Sequence, residues 1–143
     1  MINNCKNFNK PKKILLLSND NNNYLFAFQK KLKDKNCNVK LYTNHITLDL
    51  FKEYSPDLVI SYNYRYIVKK DVIDYFGNKI INMHISYLPW NKGSDPNIWS
   101  FINNTQKGVT IHRLEERCDT GKIIVQKEIF FNAKHRLIEW NSI

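Results

Sequence analysis

The chain has 143 residues, 43% of them hydrophobic, and a formal net charge of +9. That length fits one domain with one core, that composition excludes a disordered chain, and no apolar run approaches the roughly 20 residues that span a bilayer. The three cysteines, Cys5, Cys37 and Cys118, are odd in number and irregularly spaced, which excludes a disulfide framework and a zinc pattern.

The N-terminus has no apolar stretch of signal-peptide type, so a reducing cytoplasm is the expected location. The lysines are dispersed in pairs such as Lys12–Lys13, Lys30–Lys31 and Lys69–Lys70 rather than gathered in a stripe. Asn, Ile and Lys are abundant throughout and Ala is nearly absent. The charge therefore reads as compositional bias, and neither a specific nucleic-acid partner nor a membrane is expected.

In chain order, residues 1–11 are polar and end in Pro11, which predicts a loose tail ahead of a single domain over residues 12–143. Residues 13–18 form a wholly apolar run of strand length, and 19–23 a turn cluster. Residues 24–35 place Leu25, Phe28 and Leu32 at helical spacing. A short strand over 38–43 and a short helix over 48–54 follow, the helix stopped by Ser55-Pro56. Residues 57–61 read as a second buried strand, 69–76 as a helix closed by Gly77, and 79–86 as a strand. Residues 94–103 look helical, with Ser94 as cap and Pro96 in the first turn. Two strands over 108–114 and 122–129, joined by a short loop, should form an antiparallel hairpin.

This alternation predicts an α/β fold: a Rossmann-like open, mostly parallel sheet with helices on both faces and a C-terminal antiparallel β-hairpin. Ligands of such sheets bind beyond the carboxyl ends of the strands. The loop after the first strand reads Ser-Asn-Asp-Asn-Asn-Asn and holds no glycine, which excludes the G-x-G-x-x-G turn of a dinucleotide site.

Residues 80–86 read I-I-N-M-H-I-S. Strand alternation puts Asn82, His84 and Ser86 on one face and Ile81, Met83 and Ile85 on the other. A polar stripe at the end of a central strand suggests a site, while an edge strand with one wet face explains the same pattern. Asp119 sits beside Gly121 in a hairpin loop, where ordinary turn chemistry also accounts for it. Core packing is expected for Trp99. His45, His112 and His135 have no evident partner, although His112, within a strand, could touch the site.

Taken in order, Asn82-x-His84-x-Ser86-x-Leu88-Pro89, Gly93, Gly108-Val109-Thr110-Ile111-His112, Asp119-x-Gly121-x-Ile123 and Gln126 resemble the folate-dependent formyltransferase family. That family includes glycinamide ribonucleotide, methionyl-tRNA and sugar N-formyltransferases. The wording around residues 84–97 is most similar to the sugar-modifying members. The resemblance implies formyl transfer from N10-formyltetrahydrofolate to a primary amine through a tetrahedral intermediate. It implies that Asn82 bonds the oxyanion, that His84 assists it and the proton transfers, and that Asp119 polarises His84 and carries the amine proton away. It further implies Arg65, Ile67, Cys118 and Gly121 at the folate, and Ser86, Trp90 and Lys92 as substrate-binding candidates, with no metal.

The missing glycine after the first strand departs from the glycinamide-ribonucleotide members, and the extra C-terminal domain of the tRNA members is not seen. A nucleotide-linked amino sugar is thus the expected acceptor, with a homodimer left open. Family domains continue past the hairpin with a helix, so the chain is expected to be truncated at its C-terminus. A formyltetrahydrofolate deformylase on the same fold and a non-catalytic folate- or partner-binding remnant remain alternatives.

Overall fold

A computed structural model describes residues 12–130. The expectations for the tail 1–11, the C-terminal segment and His135 lie outside the described residues. In order, the elements are β1 (Lys12–Leu17), α1 (Asn23–Asp34), β2 (Cys37–Tyr42), α2 (Leu48–Tyr54), β3 (Leu58–Tyr62), α3 (Lys70–Phe76), β4 (Ile80–His84), α4 (Pro96–Ile102), β5 (Gly108–Arg113) and β6 (Ile123–Glu128).

They form a six-stranded sheet in the order β2-β1-β3-β4-β5-β6. The first four strands pair in parallel; β5 is antiparallel to both β4 and β6. The sheet runs from β1 outward to β2, then returns to β3 on the other side. With right-handed crossovers, that reversal puts α1 on one face and α2 and α3 on the opposite face.

The core follows from this. β1 lies between two strands and under helices on both faces, so its run is apolar without alternation. Leu15 and Leu17 join Val59 and Ile80 beneath Phe51 of α2 and Val72 and Phe76 of α3. Ile14, Leu16 and Ile60 pack with Leu25 of α1 on the other face, joined by half-buried Ile81 and Met83. Each fully buried side chain of this size contributes about 1.5–3 kcal/mol relative to exposure.

Local signals set the element ends. The Asn22 side chain accepts from the Leu25 N–H at the start of α1, and the Thr47 hydroxyl accepts from the Leu50 N–H at the start of α2. Gly77 ends α3 at φ +51°, a region that glycine enters without a Cβ penalty.

Two local expectations need correction. Asp95, not Ser94, occupies the N-cap of α4, at φ 53° and with no side-chain cap bond. Trp99 is half exposed rather than packed in the core, because Ile98, Trp99 and Ile102 point outward from α4.

Candidate active site

β4 delivers the first two residues. Ile80 faces the α2/α3 layer, so Asn82 and His84, at two-residue intervals, face the same way. Asn82 is half-buried and His84 is 6% exposed. Across the sheet, Asn82 is in register with His112 of β5, and His84 with Thr110. Thus His112, 1% exposed, also reaches the site.

Asp119 arrives by a less direct route. Because β5 is antiparallel, Arg113 at its end lies opposite Ile81, away from the carboxyl end of β4. The loop 114–122 must therefore fold back across the sheet face to reach the cleft. Gly121 allows this fold: a Cβ there would stand 1.8 Å from the Arg113 carbonyl oxygen.

The result is a cluster centred on one carboxylate oxygen. Asp119 Oδ1 accepts from Asn82 Nδ2 at 3.1 Å, and it lies 3.2 Å from His112 Nε2 and 3.5 Å from His84 Nδ1. The other oxygen, Oδ2, accepts from the Gly93 N–H at 2.8 Å. The remaining ring nitrogens meet backbone carbonyls: His84 Nε2 lies 2.9 Å from Asn91 O, and His112 Nδ1 lies 2.7 Å from Arg113 O.

Burial of His84 lowers its pKa below the ordinary 6.5, with the Asp119 charge and the Asn91 carbonyl acting in opposition. The ring is therefore chiefly neutral at pH 7. For Asp119, burial would raise the pKa, but the His112 bond, the Gly93 N–H and the two nearby imidazoles outweigh it and hold the carboxyl below its usual 3.8. A neutral base beside a carboxylate that stays ionised can receive a proton and stabilise the resulting cation.

The cluster lines one wall of a cleft of about 410 Å³. Arg65, Ile67 and Cys118 line it too, together with Tyr64, Tyr66 and the 93–96 segment. Gly121 stands behind the loop rather than in the cleft wall. The three substrate-binding candidates are placed elsewhere. Ser86 is 1% exposed and its hydroxyl donates to Trp90 O at 2.6 Å within its own loop. The half-exposed Trp90 indole N–H donates to Gln106, and Lys92 is exposed outside the lining residues. Sequence reasoning gave no partner for His112. Strand parity alone, with Thr110 and His112 on one face, was the signal that it shares a side with the cluster. Among the described residues no group of His, Cys, Asp and Glu is arranged to hold a metal ion. None of the helices there is long and apolar enough to cross a membrane.

Comparison with known proteins bears on the chemistry. A family model described as formyl transferase matches residues 9–137. The crystal structure of the formyltransferase PseJ from Anoxybacillus kamchatkensis, in complex with UDP-4,6-dideoxy-4-formamido-L-AltNAc and tetrahydrofolate, is 40% identical. It superposes with a TM-score of 0.77 over 91% of this chain and 67% of that one. Phosphoribosylglycinamide formyltransferase from Bacillus halodurans superposes with a TM-score of 0.81 at 20% identity, over 92% of this chain and 86% of that one, a likeness of fold. Among curated proteins, methionyl-tRNA formyltransferase of Finegoldia magna is 35% identical over 82 residues. That match covers 57% of this chain and 26% of the relative, so the chain spans about a quarter of that protein's length.

Proposed function

The chain belongs to the formyl transferase family, and we propose that it moves a formyl group from N10-formyltetrahydrofolate to the primary amine of a nucleotide-linked amino sugar. The observation that carries this reading is the convergence of Asn82 and His84 on Asp119, at 3.1 Å and 3.5 Å from its Oδ1, on the wall of a cleft. The acceptor class is supported by the 40% identical formyltransferase solved with a formylated UDP-sugar and tetrahydrofolate.

The cleft suits a flat, partly apolar carrier. Ile67, 73% exposed on the cleft wall, and half-buried Tyr66 offer apolar surface, and Arg65 adds a cation at the same wall. N10-formyltetrahydrofolate supplies an electrophilic formyl carbon when bound. Arg65, Ile67 and Cys118 would hold it.

The chain's own residues then divide the work. Asn82 Nδ2 has two hydrogens, one donated to Asp119; the second lies toward His112 Nε2 at 3.3 Å and is free for the formyl oxygen when that nitrogen carries a proton. One such donor is worth about 100 to 1000-fold in rate. His84, with its Nε2–H held by Asn91 O, turns Nδ1 toward Asp119 and can accept the proton that the attacking amine must lose. The Asp119 carboxylate stabilises the imidazolium that forms. This protonated ring can then return the proton to the leaving nitrogen. His112 and the Gly93 N–H hold Asp119 in place.

The test is turnover of N10-formyltetrahydrofolate with a UDP-linked 4-amino sugar, following tetrahydrofolate release by absorbance and the sugar by mass spectrometry. A mass gain of one formyl group, absent in Asn82→Ala, is expected. Release of formate without any amine would make the protein a deformylase instead. No turnover, with tetrahydrofolate bound, would mark a non-catalytic remnant.

A further inference from the structure

β6 lies at the edge of the sheet, and most of its side chains are exposed. Gln126 differs: it is half-buried, opposite Thr110 of β5, which is itself opposite His84 of β4. Three polar side chains thus stand at one register across three neighbouring strands. Both hydrogens of the Gln126 amide are used, one on Leu88 O at 2.8 Å and one on the Thr110 hydroxyl at 3.0 Å.

The Thr110 hydroxyl is fully buried and fully engaged. It donates to Ser86 O at 2.7 Å and accepts from the Leu88 N–H at 3.2 Å as well as from Gln126. Gln126 and Thr110 therefore clamp the 86–88 backbone. From there the loop is braced forward: Trp90 N–H donates to Tyr87 O at 3.1 Å, and the Ser86 hydroxyl to Trp90 O at 2.6 Å. The Asn91 amide is tied to the Thr105 hydroxyl at 2.7 Å. What this braced loop presents is the Asn91 carbonyl, 2.9 Å from His84 Nε2.

That carbonyl decides the chemistry of the ring. His84 has an acceptor at each nitrogen, Asn91 O at 2.9 Å and Asp119 Oδ1 at 3.5 Å. A neutral imidazole carries one N–H, and the better placed acceptor takes it. With Asn91 O in position, the hydrogen is on Nε2 and the bare Nδ1 faces the carboxylate. If Asn91 O drifts, the hydrogen moves to Nδ1, drawn by the carboxylate, and the ring no longer offers a base on that side.

We infer that Gln126 is a positioning residue: through the Thr110 clamp and the loop 86–91 it fixes the ring tautomer of His84. The same network, were it only an edge-strand brace, would leave that tautomer unchanged when Gln126 is replaced.

The experiment reads nitrogen-15 shifts of the histidine rings in labelled, ligand-free protein near neutral pH, with His84 assigned by the signal missing in His84→Ala. The wild type should show a protonated Nε2 and a bare Nδ1. In Gln126→Met and Gln126→Glu, neither of which can donate both bonds, and in Thr110→Val, the two His84 nitrogens should shift toward a mixture or the reversed tautomer. Thr110→Ser, which keeps the hydroxyl, should retain the wild-type pattern. If the proposed reaction holds, kcat should fall about 10 to 100-fold in the three impaired variants, within the range for a general base. KM for the folate should change little. Folded Gln126 variants with wild-type His84 shifts would overturn the inference. So would failure of both Gln126 variants to fold while Thr110→Ser folds, which would make the role structural. The tautomer is read without substrate, so failure of the proposed reaction leaves this test intact.

Discussion

His112 Nε2 lies 3.2 Å from Asp119 Oδ1 and 3.3 Å from Asn82 Nδ2, while its Nδ1 is engaged 2.7 Å from Arg113 O. With the N–H of a neutral ring committed to that carbonyl, Nε2 accepts from the Asn82 amide. When Nε2 carries a proton it donates to Asp119, and the second Asn82 hydrogen is free for another acceptor. His112 thus links the orientation of the amide to the charge around the carboxylate.

Replacing His112 by Phe keeps the ring volume and removes all three polar contacts. Asp119 loses the bond that contributes most to holding its carboxyl low, so its titration should move up from the wild-type value. Formyl transfer should fall about 10-fold or more. Carbon-13 NMR of labelled Asp side chains measures the first effect. An unchanged Asp119 titration would show that the Gly93 N–H and His84 suffice.

Asn82→Ala and His84→Ala should separate in stability while both suppress turnover. Each should lower the single-turnover rate by about 100-fold or more. Asn82 is half-buried, and its loss should cost about 1 kcal/mol. His84 is 6% exposed, so its removal also opens space and takes away the closer partner of Asn91 O, leaving the Ser86 hydroxyl at 3.5 Å; about 1–3 kcal/mol is expected. Melting temperatures set against single-turnover rates decide this. A His84→Ala protein with intact rate per folded molecule would exclude the ring from the chemistry.

Gly121→Ala should be disproportionately harmful for an added methyl. The new Cβ would sit 1.8 Å from the Arg113 carbonyl oxygen and 2.8 Å from its carbon, both backbone atoms. Relief requires shifting the 114–122 loop and with it Asp119, so about 2 kcal/mol or more should be lost. Turnover should fall together with melting temperature. A variant as stable and active as wild type would show that the loop has slack.

Stability should fall on acidification in two stages. As pH drops below 6.5, the unfolded chain protonates His84 before the folded one does, because burial lowers the folded pKa. Below 3.8 the unfolded Asp119 takes up its proton first, since the folded carboxyl is held lower; that contribution disappears as pH falls through the folded value. His84→Asn should flatten the first stage and weaken the second, because His84 also helps to hold the Asp119 carboxyl low. Melting temperature against pH, wild type beside variant, measures it, and parallel curves between about pH 7 and 5 would refute the assignment to His84.

What could be read from the sequence was whatever local patterning dictates. The runs at Ile14, Leu15 and Leu16 and at Val59 and Ile60 are apolar because those strands are covered on both faces, so the mostly parallel α/β sheet follows from pattern alone. Helix starts at Asn22 and Thr47 and the stop at Gly77 follow from cap and glycine chemistry within a few residues. Asn82 and His84 sharing a face needs only the two-residue period of a strand.

Contacts between distant segments were another matter. The antiparallel pairing of β5 with β4 puts His112 beside Asn82 and obliges the 114–122 loop to fold back, and no local signal encodes that pairing. Ser86 reads as a site residue by parity, yet its hydroxyl closes on Trp90 O because the chain turns after β4. Gln126 enters the sequence reading only as the last position of the family pattern, with no role attached, and the register from β6 through Thr110 to His84 is what connects it to the site. Local sequence sets which way each side chain faces along its own element. Which elements become neighbours, and so which polar atoms meet, is decided by the packing of the whole chain.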